Sequence, residues 1–133
     1  MIGEPRKFRA PDVNPESKPF WDAAADGKLM LKHCTACSEK HYYPRSICPL
    51  CGSDKTEWFQ SSGKGAIYTL STMRRGANAP YTLAWVMLDD GPTMVTNIDT
   101  DNHDALAIDQ RVIVKFVASD GGAPYPLFTP DGE

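Results

Sequence analysis

Four cysteines, the only ones in the chain, fall in two CxxC pairs, Cys34-Thr35-Ala36-Cys37 and Cys48-Pro49-Leu50-Cys51, with ten residues between the pairs. Two knuckles at that separation carry the ligand spacing of a structural zinc ribbon. A tetrahedral site needs four thiolates about 2.3 Å from the metal, converging from two tight turns. Pro49 fixes φ just after one ligand, and Gly52 is free to take positive φ just past the next. Turns of that kind aim backbone N–H groups at the sulfurs, the support a metal site requires. The expectation is one zinc per chain, mainly structural, held by Cys34, Cys37, Cys48 and Cys51.

Other chemistries fit these residues less well. A disulfide within each pair would leave the knuckles unconnected, and a cross-paired framework suits a short secreted chain. A redox CxxC normally comes singly, between a strand and a helix. An iron centre of the rubredoxin kind uses the same knuckles and stays open beside zinc. His33 and His41 flank the first knuckle as substitute ligands, which four cysteines make unnecessary. A closed four-cysteine site has no open coordination position for water or a carbonyl. No Ser/His/Asp grouping, HExxH or P-loop pattern occurs. His103 lies among Asp99, Asp101 and Asp104, which reads as a solvated turn, and no correctly spaced Glu makes it a calcium loop. Catalysis by this chain alone is not expected.

Positioning the knuckles requires strands. At 133 residues the chain is one compact unit or two small lobes sharing a core. A net charge of −3 disfavours nucleic acid, which recruits a basic face. The longest apolar run, Leu83 to Leu88, is too short for a membrane, and no apolar stretch follows the N-terminal charges. With metal-type cysteine spacing, this points to the cytoplasm.

Residues 1 to 16 read as an extended arm rich in Pro and charge. Ser17 is placed to cap a short helix, with Pro19 in its first turn and Gly27 closing it. Phe20 and Ala24, with Trp21 and Ala25, form i,i+4 pairs on that helix. So short a helix must dock, either on the chain's own core or on a partner for which Phe20 and Trp21 are the anchors.

Strand signals then take over. Residues 28–32 lead into the first knuckle, 41–44 return through the ribbon and 56–60 leave the second knuckle. Gly63 and Gly65 punctuate the entry to a second lobe with strands at 66–74, 81–88, 93–98, 111–118 and around 125–128. Asp89-Asp90-Gly91-Pro92 joins the second and third of these as a hairpin. Val112, Val114 and Phe116 alternate with Arg111, Ile113 and Lys115, the pattern of one buried face. Five short strands without a helix suggest a small barrel of OB type. Leu83 to Leu88 is apolar on both faces, which implies a barrel interior plus a covered exterior; the helix, the ribbon or another subunit is the cover. The fold expected is mainly β: arm and short helix over 1–27, rubredoxin-like zinc ribbon over 28–62, OB-fold barrel over 63–133.

The ordered set Pro19-Phe20-Trp21, Gly27-Lys28-Leu29, Cys34-x-x-Cys37, Pro44-Arg45, Cys48-Pro49-x-Cys51-Gly52, Gly63-x-Gly65 and Asp89-Asp90-Gly91 resembles the family known as domain of unknown function 35, across about residues 17 to 130. One departure is Asp109-Gln110, where many members carry a Gly before the strand. The resemblance implies an accessory subunit that pairs with a thiolase-like protein in a hetero-oligomer, helping to hold or transfer an acyl-CoA. It carries the metal role onto Cys34, Cys37, Cys48 and Cys51, and places no catalytic residue. Lys64, Arg74 and Arg75 are candidate cations for coenzyme A phosphates. Two alternatives remain: a free-standing acyl-CoA-binding protein, and a nucleic-acid module stacking bases on Tyr68, Tyr81 and Trp85.

Overall fold

The computed structural model describes residues 8–76 and 79–131. One helix, α1 (Lys18–Ala25), precedes a ribbon of three strands, β1 (Met30–Cys34), β2 (Lys40–His41) and β3 (Thr56–Gln60), in the order β2-β1-β3. Five further strands follow: β4 (Lys64–Met73), β5 (Tyr81–Leu88), β6 (Thr93–Ile98), β7 (Arg111–Val117) and β8 (Tyr125–Pro130). They close into a barrel in the order β4-β5-β6-β8-β7. Every pairing is antiparallel except β6 with β8, which meet in parallel at Ile98 and Phe128. This is the five-stranded Greek-key barrel of an OB-fold.

The helix starts differently from its sequence signal. Ser17 occupies the N-cap position but its hydroxyl makes no cap bond. Asn14 does the capping instead. Its Oδ1 accepts the Ser17 N–H at 2.8 Å and its carbonyl accepts the Lys18 N–H at 2.8 Å, while Ser17 Oγ accepts the Asn14 N–H in return. That reciprocity is a capping box with Pro15 in the first-turn position it favours. The other end closes as expected: Gly27 takes φ +76, its N–H reaches Ala24 O, and the Lys28 N–H reaches Ala23 O.

Phe20 is 1% and Trp21 6% exposed, both inside one hydrophobic cluster with Leu29, Leu31, Ile67, Val86, Val112 and Phe128. The partner-anchor role is therefore corrected: these aromatics belong to the chain's own core. Trp21 stacks edge-on against Tyr125 of β8 at 5.4 Å, which joins the helix to the barrel. Ala24 is buried with them and Ala25 faces water. At the barrel entry, a Cβ on Gly65 would lie 2.5 Å from the Met87 carbonyl oxygen, so only glycine allows β4 to approach β5 there. The departure at Asp109 keeps glycine's geometry without glycine. It takes φ +70, a left-handed conformation that Asp tolerates better than most side chains.

Of the covers expected over β5, the two within the chain, the helix and the ribbon, are not used. Thr82, Ala84, Val86 and Leu88 point into the barrel, and Leu83, Trp85 and Met87 on the opposite face are exposed. Among the described residues, neither α1 nor the ribbon covers them.

Candidate metal centre

Two knuckles built alike face each other. In the first, the Cys34 N–H donates to Glu39 O and the Ser38 N–H to Cys34 O; in the second, the Cys48 N–H donates to Ser53 O and the Gly52 N–H to Cys48 O. Each turn ends in a left-handed residue just past its last cysteine, Ser38 at φ +66 and Gly52 at φ +81. Gly52 was legible as a turn residue; Ser38 was not, because nothing about serine announces positive φ. The Thr35 N–H and hydroxyl both donate to Lys55 O, fixing the first knuckle to the base of β3.

The four Sγ atoms lie within 4.8 Å of one another, with Cys34–Cys51 at 3.6 Å and Cys37–Cys48 at 3.8 Å. Four sulfurs about 2.3 Å from one tetrahedral ion are separated by about 3.8 Å. The spacing is thus that of thiolates around a metal and far from the S–S bond of a disulfide; all four cysteines are free thiols. Electrostatics favours the same occupant. The N–H of Cys37, assisted by that of Ala36, holds the Cys34 thiol down to about 7. At Cys37 the Glu39 N–H pulls downward, but burial and the neighbouring sulfurs outweigh it and push the thiol up to about 12. Sulfurs this close ionise together only around a cation. The Leu50 N–H, 3.4 Å from Cys48 Sγ, adds a donor that would orient a bound thiolate.

The flanking histidines stay apart from this group. His33 is not among the converging side chains. His41 is buried beside Lys32, its partner across β1 and β2, and no well-formed hydrogen bond reaches either ring nitrogen among the described residues. Lys32 itself is buried, 4.5 Å above the Trp58 ring and 3.3 Å from Thr56 Oγ1. The alternation of β1 did not reveal this polar row, because Lys32 reads as a surface residue. Burial lowers His41 below the ordinary histidine range, with the Arg45 backbone offsetting part of the effect and the Lys32 charge adding to it. A base whose folded pKa is depressed binds fewer protons folded than unfolded. Its contribution is complete above the unfolded value and is lost as pH falls through the folded one. We expect His41→Phe to flatten the decline of melting temperature between about pH 7 and pH 5 relative to wild type. Parallel curves for the two proteins would remove His41 from the effect.

The remaining candidates do not converge on a site. Lys64 opens β4 and Arg74 follows its other end, about 30 Å away at strand rise, so they cannot grip one phosphate together. Arg74 also pairs with Asp104 at 2.7 Å, and Asp99 with Lys115 at 2.6 Å, which neutralises much of the acidic turn. His103 Nδ1 lies 2.9 Å from the Thr82 hydroxyl, which meets Thr72 at 2.8 Å, a structural tie across the barrel mouth. Among the described residues no helix is long and apolar enough to cross a membrane.

Two family models match in tandem: "ChsH2, rubredoxin-like zinc ribbon domain" over residues 21–57 and "ChsH2, C-terminal OB-fold domain" over residues 58–117. A "DUF35 domain-containing scaffold protein" of Methanothermobacter thermautotrophicus is 30% identical over 89 residues, 62% of this chain and 67% of that protein. The chain belongs to the DUF35 family. A scaffold protein of the same description from Pyrococcus furiosus is 38% identical over 69 residues, 47% of this DUF35 chain and 51% of its own length. The "Probable enoyl-CoA hydratase alpha subunit" of Thermomonospora curvata is 26% identical over 132 residues, 96% of this chain and 41% of that protein. The chain thus spans about half or less of the first two of these relatives in order of similarity. Among solved structures, the "Ltp2-ChsH2(DUF35) aldolase" matches with a TM-score of 0.78 and 27% identity, covering 90% of this chain and 98% of that one.

Proposed function

We propose that this DUF35 chain is a non-catalytic accessory subunit of a thiolase-like acyl-CoA enzyme, with one structural zinc held by Cys34, Cys37, Cys48 and Cys51. The observation that carries the partner is the near-complete structural match to the ChsH2(DUF35) chain of an aldolase that includes Ltp2. The donor set supports the metal: four converging sulfurs at tetrahedral spacing, with backbone N–H groups aimed at them. Bound there, zinc would cross-link the two knuckles and, with its coordination filled by thiolates, leave no position for a substrate. The chain's work is then positional. The knuckles fix β1 and β3; β1 and the residue just before it carry Leu31 and Leu29 into the core shared with the barrel. The dispersed cations suit a subunit that borders an acyl-CoA held largely by its partner.

Co-expression with a thiolase-like protein from the same locus should yield a stable complex by size-exclusion chromatography with light scattering, while the isolated chain turns over no acyl-CoA. A pair that never co-elutes at micromolar concentration would end this reading.

A further inference from the structure

The outer face of β4, β5 and β6 presents Tyr68, Met73, Leu83, Trp85, Met87 and Val95 to solvent. Cross-strand register gathers them: Trp85 lies opposite Val95 on β6 and opposite Thr69 on β4. A register shift between Ile67 and Thr69 inserts Tyr68 as an extra residue, turned outward beside Trp85 and 60% exposed. Bulges of this kind re-aim a side chain at the cost of a ladder bond. No residue of 68–73, 81–87 or 93–97 carries a charge. With roughly half of each large side chain in water, the patch is on the order of 500 Å², at the upper end of what a monomer exposes.

We propose that this face, centred on Trp85, is where the enzyme subunit docks; the inference rests on the accessory-subunit reading above. Three observations select that occupant. Trp, Tyr and Met without charge is the composition of a protein–protein interface centre. Nucleic acid would need cations for its phosphates; these strand segments supply none, and of the two cations that follow β4, Arg74 is paired with Asp104. The exterior of a closed five-stranded barrel is convex. Two copies placed face to face would touch along a narrow line, whereas a standard interface buries about 800 Å² on each partner. A concave surface on a different protein can cover the patch and the polar Thr and Ser rim around it.

The test uses the co-expressed pair. Trp85→Ser should weaken association at least 30-fold, as loss of a central anchor does, with zinc content and melting temperature unchanged, and Ile108→Ser on another exposed surface should change it less than about 2-fold. A photoreactive p-benzoylphenylalanine substituted for Trp85 should cross-link to the enzyme chain, and one substituted for Ile108 should not. If the complex forms but Trp85→Ser leaves it intact, the docking face is wrong and the accessory-subunit reading survives. If wild type forms no complex, both fall. Cross-links between two copies of this chain, or to added oligo(dT), would overturn the proposal in favour of those occupants.

Discussion

Cys34→Ser is expected to give protein that is largely insoluble or unfolded, and Cys51→Ser protein with less than half an equivalent of zinc by elemental analysis, against about one for wild type. The difference between the two follows from position. Cys34 is fully buried at the end of β1, and Cys51 lies at the exposed tip of the second knuckle. Serine stays protonated at neutral pH and offers a hard oxygen where a soft thiolate is needed. Structural zinc contributes about 10–16 kcal/mol in isolated ribbon-sized peptides, as much as the whole net stability of a typical domain, about 5–15 kcal/mol. Chelation at neutral pH should therefore abolish the folding transition seen by circular dichroism, and zinc should restore it. A metal-free protein with an unchanged melting curve would show that the sulfurs need no cation; one equivalent of iron would place the chain with rubredoxins instead.

The second large effect is expected in the core. Phe20→Ala and Trp21→Ala should each cost about 3–5 kcal/mol, because a large aromatic is removed from a packed site and the cavity cannot fully collapse. For Trp21 part of the loss is offset, since its indole N–H is buried without a partner among the described residues. Thermal melts should show a loss of well over 10 °C for Phe20→Ala. A folded, equally stable double variant that had lost its partner would instead return these aromatics to the surface.

Much of this architecture was legible because it depends on local chemistry. Cysteine spacing indicated two knuckles, Gly27 the helix end, alternation the strand Arg111–Val117, and the turn at residues 89–92 the hairpin of Tyr81–Leu88 with Thr93–Ile98. What escaped was tertiary. Asn14 outcompeted Ser17 as the cap because the chain starts to turn three residues earlier, and only the folded backbone decides between two nearby cap residues. Phe20 and Trp21 had the same pattern whether the core or a partner received them. The burial of Lys32 and His41 likewise depends on cross-strand register that no local window contains. At the metal centre, spacing foretold which residues meet; the N–H donors that orient them had to be seen.

The hydrophobic cluster takes side chains from the helix, from the segment leading into the ribbon and from the barrel, and treats them as one. Ribbon and barrel look like interchangeable parts, since each matches a family model of its own. Physically they are two halves of a mould. A ribbon grafted from a relative would bring its own counterparts of Trp21, Leu29 and Leu31 against a Tyr125 and Phe128 shaped for others. Chimeras that cut between the two matched segments should be unstable even with every cysteine in place.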